Sequence, residues 1–348
     1  MKRSAIFIAF LGVFASLALY FFFHSSSKTD RKTQELVILT WEDYTDRQMI
    51  SDFERETGIA VTVVEIKTSS EQVARLQDDP AAFDLVVVDE SVLAYVLNAK
   101  LARPFDLTKI PNITDITSRF GTQLPMAVPQ FWGTAGYIID TRQVPADTDS
   151  IEMLWDPRYR GRIRLLDDAP DAIVPILHRA RLSINDTASA EQESAITRHA
   201  EGLRENGVSF GDTFDNIAKV MDGTVWIAQT YSGDHLYKAR DIPHLRFVLP
   251  REGFRLWADY FVLSKSARNQ AAAHRFISFR LRPEVAARAS STFFYPCAVN
   301  GSEKLLRPEL RENSVMFPAM STLDRGERYE RNKDPIPLHQ KLFNLMKK

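Results

Sequence analysis

The sequence has little cysteine, almost no excess of charge and none of the common catalytic motifs. Cys297 is the only cysteine, so the chain can form neither an intrachain disulfide nor a cysteine-based metal site. The 44 lysines and arginines nearly balance the 45 aspartates and glutamates, which gives no reason to expect nucleic acid as a partner. No G-x-S-x-G, phosphate-binding loop or H-E-x-x-H occurs, and the seven histidines show no ligand spacing. We therefore expect no metal, no cofactor and no nucleophilic catalysis.

The one long apolar run lies at the N-terminus. Met1-Lys2-Arg3 precedes an uncharged stretch over residues 5–23, and a polar stretch follows it. This pattern predicts an export signal or a membrane anchor, and the positive start predicts that the rest of the chain lies outside the cytoplasm, in a bacterial periplasm. Cleavage after Ser16-Leu17-Ala18 would leave Leu-Tyr-Phe-Phe-Phe on the mature protein. We favour an uncleaved hydrophobic helix in the inner membrane, leave cleavage open, and assign residues 1–34 to signal or anchor plus linker.

The segment after this leader alternates between strand and helix patterns. The predicted strands are 36–40, 59–66 and 84–89, and the predicted helices begin at Thr45-x-x-Gln48, at Ser69-x-x-Gln72 and at Val92. Gly58 is a typical residue just after a helix end. The third strand is a continuous apolar run of the kind buried on both faces. This order predicts a parallel sheet covered by helices, as in α/β proteins.

A second unit begins near Ile151, after a polar loop over residues 145–149. Its predicted strands are 162–166, 225–229, 245–249 and 257–263. A helix predicted over 269–281 is stopped by Pro283. Because the last strand and helix resemble the first unit more than the second, we expect the chain to cross between two domains more than once.

An aromatic side chain next to a carboxylate recurs three times beside predicted strands. The segments are Trp41-Glu42-Asp43-Tyr44, Tyr231-Ser232-Gly233-Asp234 and Trp257-Ala258-Asp259. Aromatic faces attract cations, and carboxylates accept charge-assisted hydrogen bonds from ammonium groups. Ligands of parallel sheets bind beyond the carboxyl ends of the strands, where Asp89 also lies. Together these residues predict a cleft for an organic amine.

Ordinary structural interpretations remain for most of these residues. Trp41 and Trp257 are also suited to the edge of a hydrophobic core, and Asp168, two residues before Pro170, fits a helix N-cap. Asp43 is compatible with simple solvation. Asp259 is the hardest acid to explain in this way, because it lies in an apolar stretch where an unpaired carboxylate is costly to bury. It is the strongest single candidate.

The order of short motifs along the chain resembles that of the bacterial periplasmic spermidine/putrescine-binding proteins, the solute receptors of polyamine ABC transporters. The motifs are Thr40-Trp41-Glu-Asp-Tyr44, Phe53-Glu-Arg-Glu-Thr-Gly-Ile59, Phe83-Asp-Leu-Val-Val87, Phe131-Trp-Gly-Thr134, Leu154-Trp-Asp-Pro-Arg-Tyr-Arg-Gly161, Asp168-Ala-Pro-Asp171, Gly233-Asp234, Pro250-Arg-Glu-Gly253, Trp257-Ala-Asp259 and Leu281-Arg-Pro-Glu-Val285. The resemblance extends from about Leu36 to the C-terminus.

This resemblance implies an α/β fold of two lobes joined by crossover hinge strands, a periplasmic-binding-protein clamshell that closes on its ligand. The first lobe would comprise residues 36–136 and 261–300, and the second residues 137–260 and 301–348. We expect a monomer that binds a small-molecule polyamine.

Carried over position by position, the resemblance also implies the ligand-binding residues. The aromatic residues that would stack on the amine chain or close the cleft are Trp41, Tyr44, Tyr231, Trp257 and Tyr295. The carboxylates that would line the cleft and approach the amines are Asp43, Asp89, Asp168, Asp171, Asp234 and Asp259.

The sequence departs from the family pattern at several of these positions. Asp89 stands where members usually have a small hydroxyl residue, and Ser91 where spermidine-type members carry an aromatic. Tyr231 replaces a common tryptophan, and Asp171 a common glutamate. An added acid and a lost stacking face leave the length and nitrogen spacing of the amine open.

Three functions fit the pattern. The first is a receptor that delivers polyamines to an ABC permease. The second is a polyamine sensor of the same fold that docks on a membrane signalling protein. The third is a carboxylate-based enzyme, but acids interleaved with aromatic residues suit the binding of a polycation better than the cleavage of a bond. We expect the first function, keep the second as its alternative, and do not expect an enzyme.

Overall fold

The computed structural model describes residues 35–42, 44–330 and 336–348 of the chain. The predicted hydrophobic helix over residues 5–23 lies outside the described residues. Within them, no helix combines the length and the apolarity that crossing a bilayer requires.

The described residues form a mixed sheet with helices packed against it. The strands are β1 (Glu35–Trp41), β2 (Ala60–Ile66), β3 (Leu85–Asp89), β4 (Ala102–Arg103), β5 (Ala127–Asp140), β6 (Ile163–Leu166), β7 (Ser209–Gly211), β8 (Ile227–Tyr231), β9 (Leu245–Val248), β10 (Phe254–Ser264) and β11 (Gly326–Glu327). The α-helices are α1 (Arg47–Thr57), α2 (Ser69–Asp78), α3 (Glu90–Asn98), α4 (Ala169–Ala172), α5 (Val174–Arg179), α6 (Ala190–Glu205), α7 (Thr213–Met221), α8 (Ser232–Ala239), α9 (Gln270–Arg280), α10 (Pro283–Phe293), α11 (Pro308–Arg311), α12 (Met320–Leu323) and α13 (Ile336–Met346).

The predicted alternation of strands and helices in the first unit is confirmed. β1 pairs in parallel with β2 on one side and with β3 on the other, and α1 and α2 connect them. The whole strand order is β2-β1-β3-β10-β5-β8-β6-β7, with β4 and β11 beside β10 and β9 beside β5. In the second unit, β6 is again parallel to its neighbours β7 and β8.

Both helix starts predicted from capping boxes lie one residue away from the observed caps. Asp46, rather than Thr45, caps α1 by accepting from the backbone N–H groups of Gln48 and Met49. Thr68, rather than Ser69, caps α2. Each observed cap is another residue of a preferred capping type directly beside the predicted one, which is why spacing alone misplaced the helix start. Gly58 ends α1 in the left-handed conformation, at φ 69°, as predicted.

Two long antiparallel strands connect the parallel parts of the sheet. β10 pairs with β3 through Asp259–Leu263, and with the first part of β5 along most of its length. The last residues of β5 pair instead with β8 and β9. The chain thus passes twice through the middle of the molecule, on β5 and again on β10. The predicted strand 257–263 lies within β10, whereas β5 was not predicted as a strand.

Separate hydrophobic cores lie at the two ends of these crossing strands. One core under β1 and β3 is built on Phe53, Phe131 and Phe276, which are nearly inaccessible to solvent. Another core, around β6, includes Leu177 and reaches Phe343 of the C-terminal helix α13. Two separate hydrophobic cores are what a protein of two lobes requires, because each lobe needs a core of its own. The lobe boundaries stated above remain a prediction.

Candidate functional site

Strand ends bring the predicted acids and aromatic residues together at the middle of the sheet. Asp89 is the last residue of β3 and lies directly opposite Asp259 on β10. Tyr231 is the last residue of β8 and lies opposite Ala135 of β5. Trp257 is two residues before Asp259 on the same strand, so alternation directs both side chains to one face. The pairing of β10 with β5 shifts its register at Asp259. The crossing strands therefore carry the centre of the candidate site.

Four aromatic rings form a continuous row in this region. The ring centroids are 5.8 Å apart for Tyr231 and Trp257, 4.9 Å for Trp257 and Tyr295, and 6.4 Å for Tyr295 and Tyr44. All three contacts are edge-to-face, a favourable geometry for aromatic pairs. Trp41, at the end of β1, is half-buried and packs on the cores on both sides of that strand rather than in this row.

Two glycines make room for the row. A Cβ atom on Gly133 would lie 2.6 Å from the Trp257 ring, and one on Gly233 would lie 2.5 Å from the Tyr295 ring. Both distances are far shorter than any real Cβ contact allows, so any larger residue would displace a ring. The Phe131-Trp-Gly-Thr134 and Gly233-Asp234 motifs thus have a steric role beside the candidate site.

Asp259 lies buried beside this row without a cationic partner. Its side chain is 5% exposed, and it forms no ion pair with any described residue. Burial, together with the Asp89 carboxylate, raises the pKa of Asp259 well above its ordinary value. Among the described residues, the buried Tyr44 hydroxyl and the Trp257 Nε1 find no hydrogen-bond partner. A carboxylate, a hydroxyl and an indole N–H are therefore left available to a small polar ligand.

Asp234 lies beside the aromatic row, where it contacts Tyr295. The Tyr295 hydroxyl donates a hydrogen bond of 2.8 Å to its Oδ1, and the Asp234 backbone N–H donates to the same hydroxyl oxygen. Burial raises the pKa of Asp234 to about 6, against the lowering effect of hydrogen bonds from Tyr295 and Thr213. Like Asp259, this carboxylate has no ion-pair partner in the described part of the chain.

Asp168 immediately precedes α4, but its side chain does not cap that helix. No helix N–H donates to its carboxylate, although Asp171 and Ala172 donate to its backbone carbonyl oxygen. The N-cap interpretation of this carboxylate is therefore wrong. Burial, followed by the Asp171 carboxylate, raises the pKa of Asp168 to about 7. Its charge is thus also available to a ligand.

Asp89 and Asp171 differ from these three acids because a cation of the chain itself pairs with them. The Arg255 guanidinium lies 2.5 Å from Asp89 through Nη2 and 2.6 Å from Asp171 through Nη1. Asp171 also accepts a hydrogen bond of 2.8 Å from the Tyr231 hydroxyl. Asp89 in addition caps α3 by accepting from Ser91.

The structure thus brings most of the predicted site residues into one buried or half-buried cluster. The members are Tyr44, Asp89, Asp168, Asp171, Tyr231, Asp234, Trp257, Asp259 and Tyr295. Asp43 lies outside the described residues. Two small cavities flank the cluster, one bordered by Arg255 and the other by Tyr44.

Comparison with known proteins assigns the fold that surrounds this cluster. Residues 48–313 match the family described as bacterial extracellular solute-binding protein. The chain belongs to this family. It is also similar to the solved structure of a putative spermidine/putrescine ABC transporter from Listeria monocytogenes, with 28% identity, a TM-score of 0.82, and coverage of 90% of this chain and 99% of the other.

Two relatives of this solute-binding protein are named for the polyamines that they bind. It is 27% identical over 300 residues to the spermidine/putrescine-binding periplasmic protein of Escherichia coli (strain K12), a match covering 84% of this chain and 85% of the relative. It is 26% identical over 308 residues to the putrescine-binding periplasmic protein PotF of the same organism, covering 81% and 83%. The predicted resemblance, the α/β periplasmic-binding-protein fold and the expectation of a solute-binding protein rather than an enzyme are thereby confirmed.

Arg255 is the member of this solute-binding protein's site that sequence reasoning missed. Its side chain is 2% exposed and its guanidinium lies over the Tyr329 ring, 5.1 Å from the centroid. One signal was available: residues 255, 257 and 259 alternate along one strand and share a face. An arginine two residues before the Trp257-Ala-Asp259 motif is therefore directed to the same site.

A second buried ion pair borders the site. Arg328, just after β11, donates to Glu90 at the start of α3, to the Arg119 carbonyl oxygen and to the Tyr260 hydroxyl. Burial raises the pKa of Glu90 to about 7, although the Arg328 charge acts in the opposite direction. Because Glu90 already has its own cation, it does not join the group of unpaired acids.

Proposed function

We propose that this protein binds linear polyamines, of the putrescine or spermidine kind, in the cleft between its lobes and delivers them to an ABC permease for import. The observation that carries the proposal is a set of three carboxylates, one buried and two half-buried, that have no ion-pair partner among the described residues and lie next to the row of aromatic rings. These acids are Asp168, Asp234 and Asp259. The proposal assigns them to the ammonium groups, and the rings to the methylene chain between those groups.

The physical reason is that an enclosed carboxylate needs a cation. An unpaired carboxylate is expensive to bury, and an ammonium group offsets that expense with charge-assisted hydrogen bonds. Faces of tryptophan and tyrosine attract the same cations and cover the apolar chain. We expect micromolar or tighter affinity, a binding free energy of about −8 kcal/mol or better.

Relatives support the transport function over the sensing alternative. The names of the two Escherichia coli relatives specify binding of spermidine and putrescine in the periplasm, and the similar Listeria structure is described as an ABC transporter. No observation on this chain favours docking to a signalling protein. The proposal includes export through residues 5–23, inner-membrane anchoring by that segment, and a monomeric receptor.

Thermal unfolding of the purified full chain tests the proposal. Putrescine, cadaverine, norspermidine, spermidine and spermine should be compared at equal concentration, because a ligand that binds only the folded state raises the melting temperature. At a concentration about 100 times the dissociation constant, the stabilisation is about 2.7 kcal/mol. We expect at least one of these amines to raise the melting temperature by several degrees and to be recovered chemically unchanged.

Two controls make the result specific. N-Acetylputrescine keeps the methylene chain but loses one charge, so it should stabilise the protein much less than putrescine. Asp147→Asn removes an exposed loop carboxylate and should leave the response to every amine as it was. The proposal fails if no linear amine changes the melting temperature, or if the acetylated amine works as well as its parent.

A further inference from the structure

Arg255 places a positive charge of the chain itself inside the acid cluster. Its guanidinium contacts both carboxylate oxygens of Asp89, at 2.5 and 2.6 Å, and Oδ2 of Asp171 at 2.6 Å. These are short, charge-assisted contacts of the strongest kind. The two acids come from different parts of the fold, the end of β3 and the helix α4, and the arginine joins them from the crossing strand β10.

The surroundings hold the guanidinium in this position. One face lies over the ring of Tyr329, whose hydroxyl donates to the Pro170 carbonyl oxygen. The Tyr231 hydroxyl donates to the same Asp171 oxygen that Arg255 contacts. A planar guanidinium bound by two carboxylates and stacked on a ring is preorganised, which a flexible lysine would not be. The arginine is therefore a fixed part of the site.

We propose that Arg255 is a specificity-determining residue whose guanidinium occupies the place of one ligand ammonium group, so that Asp89 and Asp171 pair with the protein and not with the ligand. This inference rests on the proposed function. With Arg255 in place, Asp168, Asp234 and Asp259 are left for the ligand. The cleft then accepts a ligand with one fewer cationic group. Without Arg255, the two acids would be free to pair with an additional ammonium group.

A purely structural ion pair would have the same geometry. The selectivity between amines distinguishes a structural role of Arg255 from a specificity-determining one. A structural pair would change stability and would alter the affinities for all amines in parallel. A cation that competes with a ligand nitrogen would instead change the ratio between an amine with one more nitrogen and an amine with one fewer. Specificity is a difference of affinities, so this ratio is the quantity to measure.

Arg255→Gln in the full chain, titrated calorimetrically with spermidine and spermine, tests the proposal. We expect the affinity for spermine relative to spermidine to rise about tenfold or more over wild type, because Asp89 and Asp171 then gain a cationic partner only from the longer amine. Arg255→Lys keeps the charge and should shift the ratio much less. A folded Arg255→Gln protein with the wild-type ratio would overturn the proposal.

A second variant covers the case in which Arg255→Gln fails to fold. Arg255→Gln combined with Asp89→Asn removes one buried charge of each sign and leaves Asp171 free, so the ratio should still shift toward spermine. An unchanged ratio in this double variant would also overturn the proposal. Failure of the proposed function looks different: the wild-type protein would then bind none of the five linear amines compared above, whereas failure of the Arg255 proposal leaves wild-type binding intact.

Discussion

Asp259→Asn is expected to weaken polyamine binding at least tenfold without damage to the unliganded fold. In the proposed complex, the buried Asp259 carboxylate would pair with a ligand ammonium group. The asparagine leaves that ammonium buried without its counter-charge, and losing one partner of a buried charge pair costs about 2–5 kcal/mol. Because Asp259 has no ion pair among the described residues, no partner within the protein loses its charge in turn.

Stability of the unliganded variant gives an independent check. The pKa of Asp259 is raised in the fold, so the folded state binds its proton more tightly than the unfolded chain does. This group therefore costs stability as the pH rises above its unfolded pKa of about 3.9. Asparagine has no charge to desolvate, so at neutral pH the free energy of unfolding should stay equal or increase. Urea titration of both proteins measures it.

Asp147→Asn is the matched control for this substitution. It makes the same chemical change at an exposed loop position, where surface substitutions usually alter stability by less than about 0.5 kcal/mol. Equal affinities of wild type and Asp259→Asn would mean that the ligand binds elsewhere. A large loss of unfolding free energy in unliganded Asp259→Asn would mean that this carboxylate is a structural residue.

Polyamine affinity is expected to increase with pH between about 5.5 and 7.5, by about tenfold per pH unit for each proton released. The pKa of Asp234 is raised to about 6 and that of Asp168 to about 7 in the unliganded fold. Both carboxyl groups must be ionised to pair with ammonium groups. At a pH below these pKa values, ligand binding therefore releases their protons. The amines stay protonated throughout, since alkyl ammonium groups titrate near pH 10.

Calorimetry in two buffers with different ionisation enthalpies counts these protons directly. At pH 6 we expect the release of about one proton or more per ligand bound. Asp168→Asn should reduce that number, because the substituted group no longer titrates, and Asp147→Asn should not. Affinity that is independent of pH over this range, or a net uptake of protons, would contradict the assignment of these acids to the ligand.

The local pattern of the sequence was sufficient for the first half of the fold. Alternating strands and helices over residues 36–99 and the end of α1 at Gly58 follow from periodicity and from the backbone freedom of glycine, both of which are local properties. β5 escaped prediction because Pro129, Gly133 and Gly136 interrupt its pattern with residues that usually mark turns. Two of them lie where a ring or another strand approaches closely, which is a tertiary requirement.

The candidate site was predictable to the extent that its chemistry is unusual for its position. An aspartate in the apolar stretch of β10 was conspicuous, and Asp259 is indeed buried without an ion pair. Arg255 was not conspicuous, because arginine ordinarily indicates a solvated surface. Its partners Asp89 and Asp171 lie 166 and 84 residues away along the chain. Only the folded arrangement of strands brings the three together.

A crystal structure of the protein grown with spermidine tests the central claim most directly. We expect an extended ligand along the row formed by Trp257 and Tyr295, with one nitrogen within about 3 Å of the Asp259 carboxylate. The Arg255 guanidinium should remain bound to Asp89 and Asp171. Ligand found outside the cleft, or a cleft in which no ligand nitrogen approaches Asp259, would contradict the account.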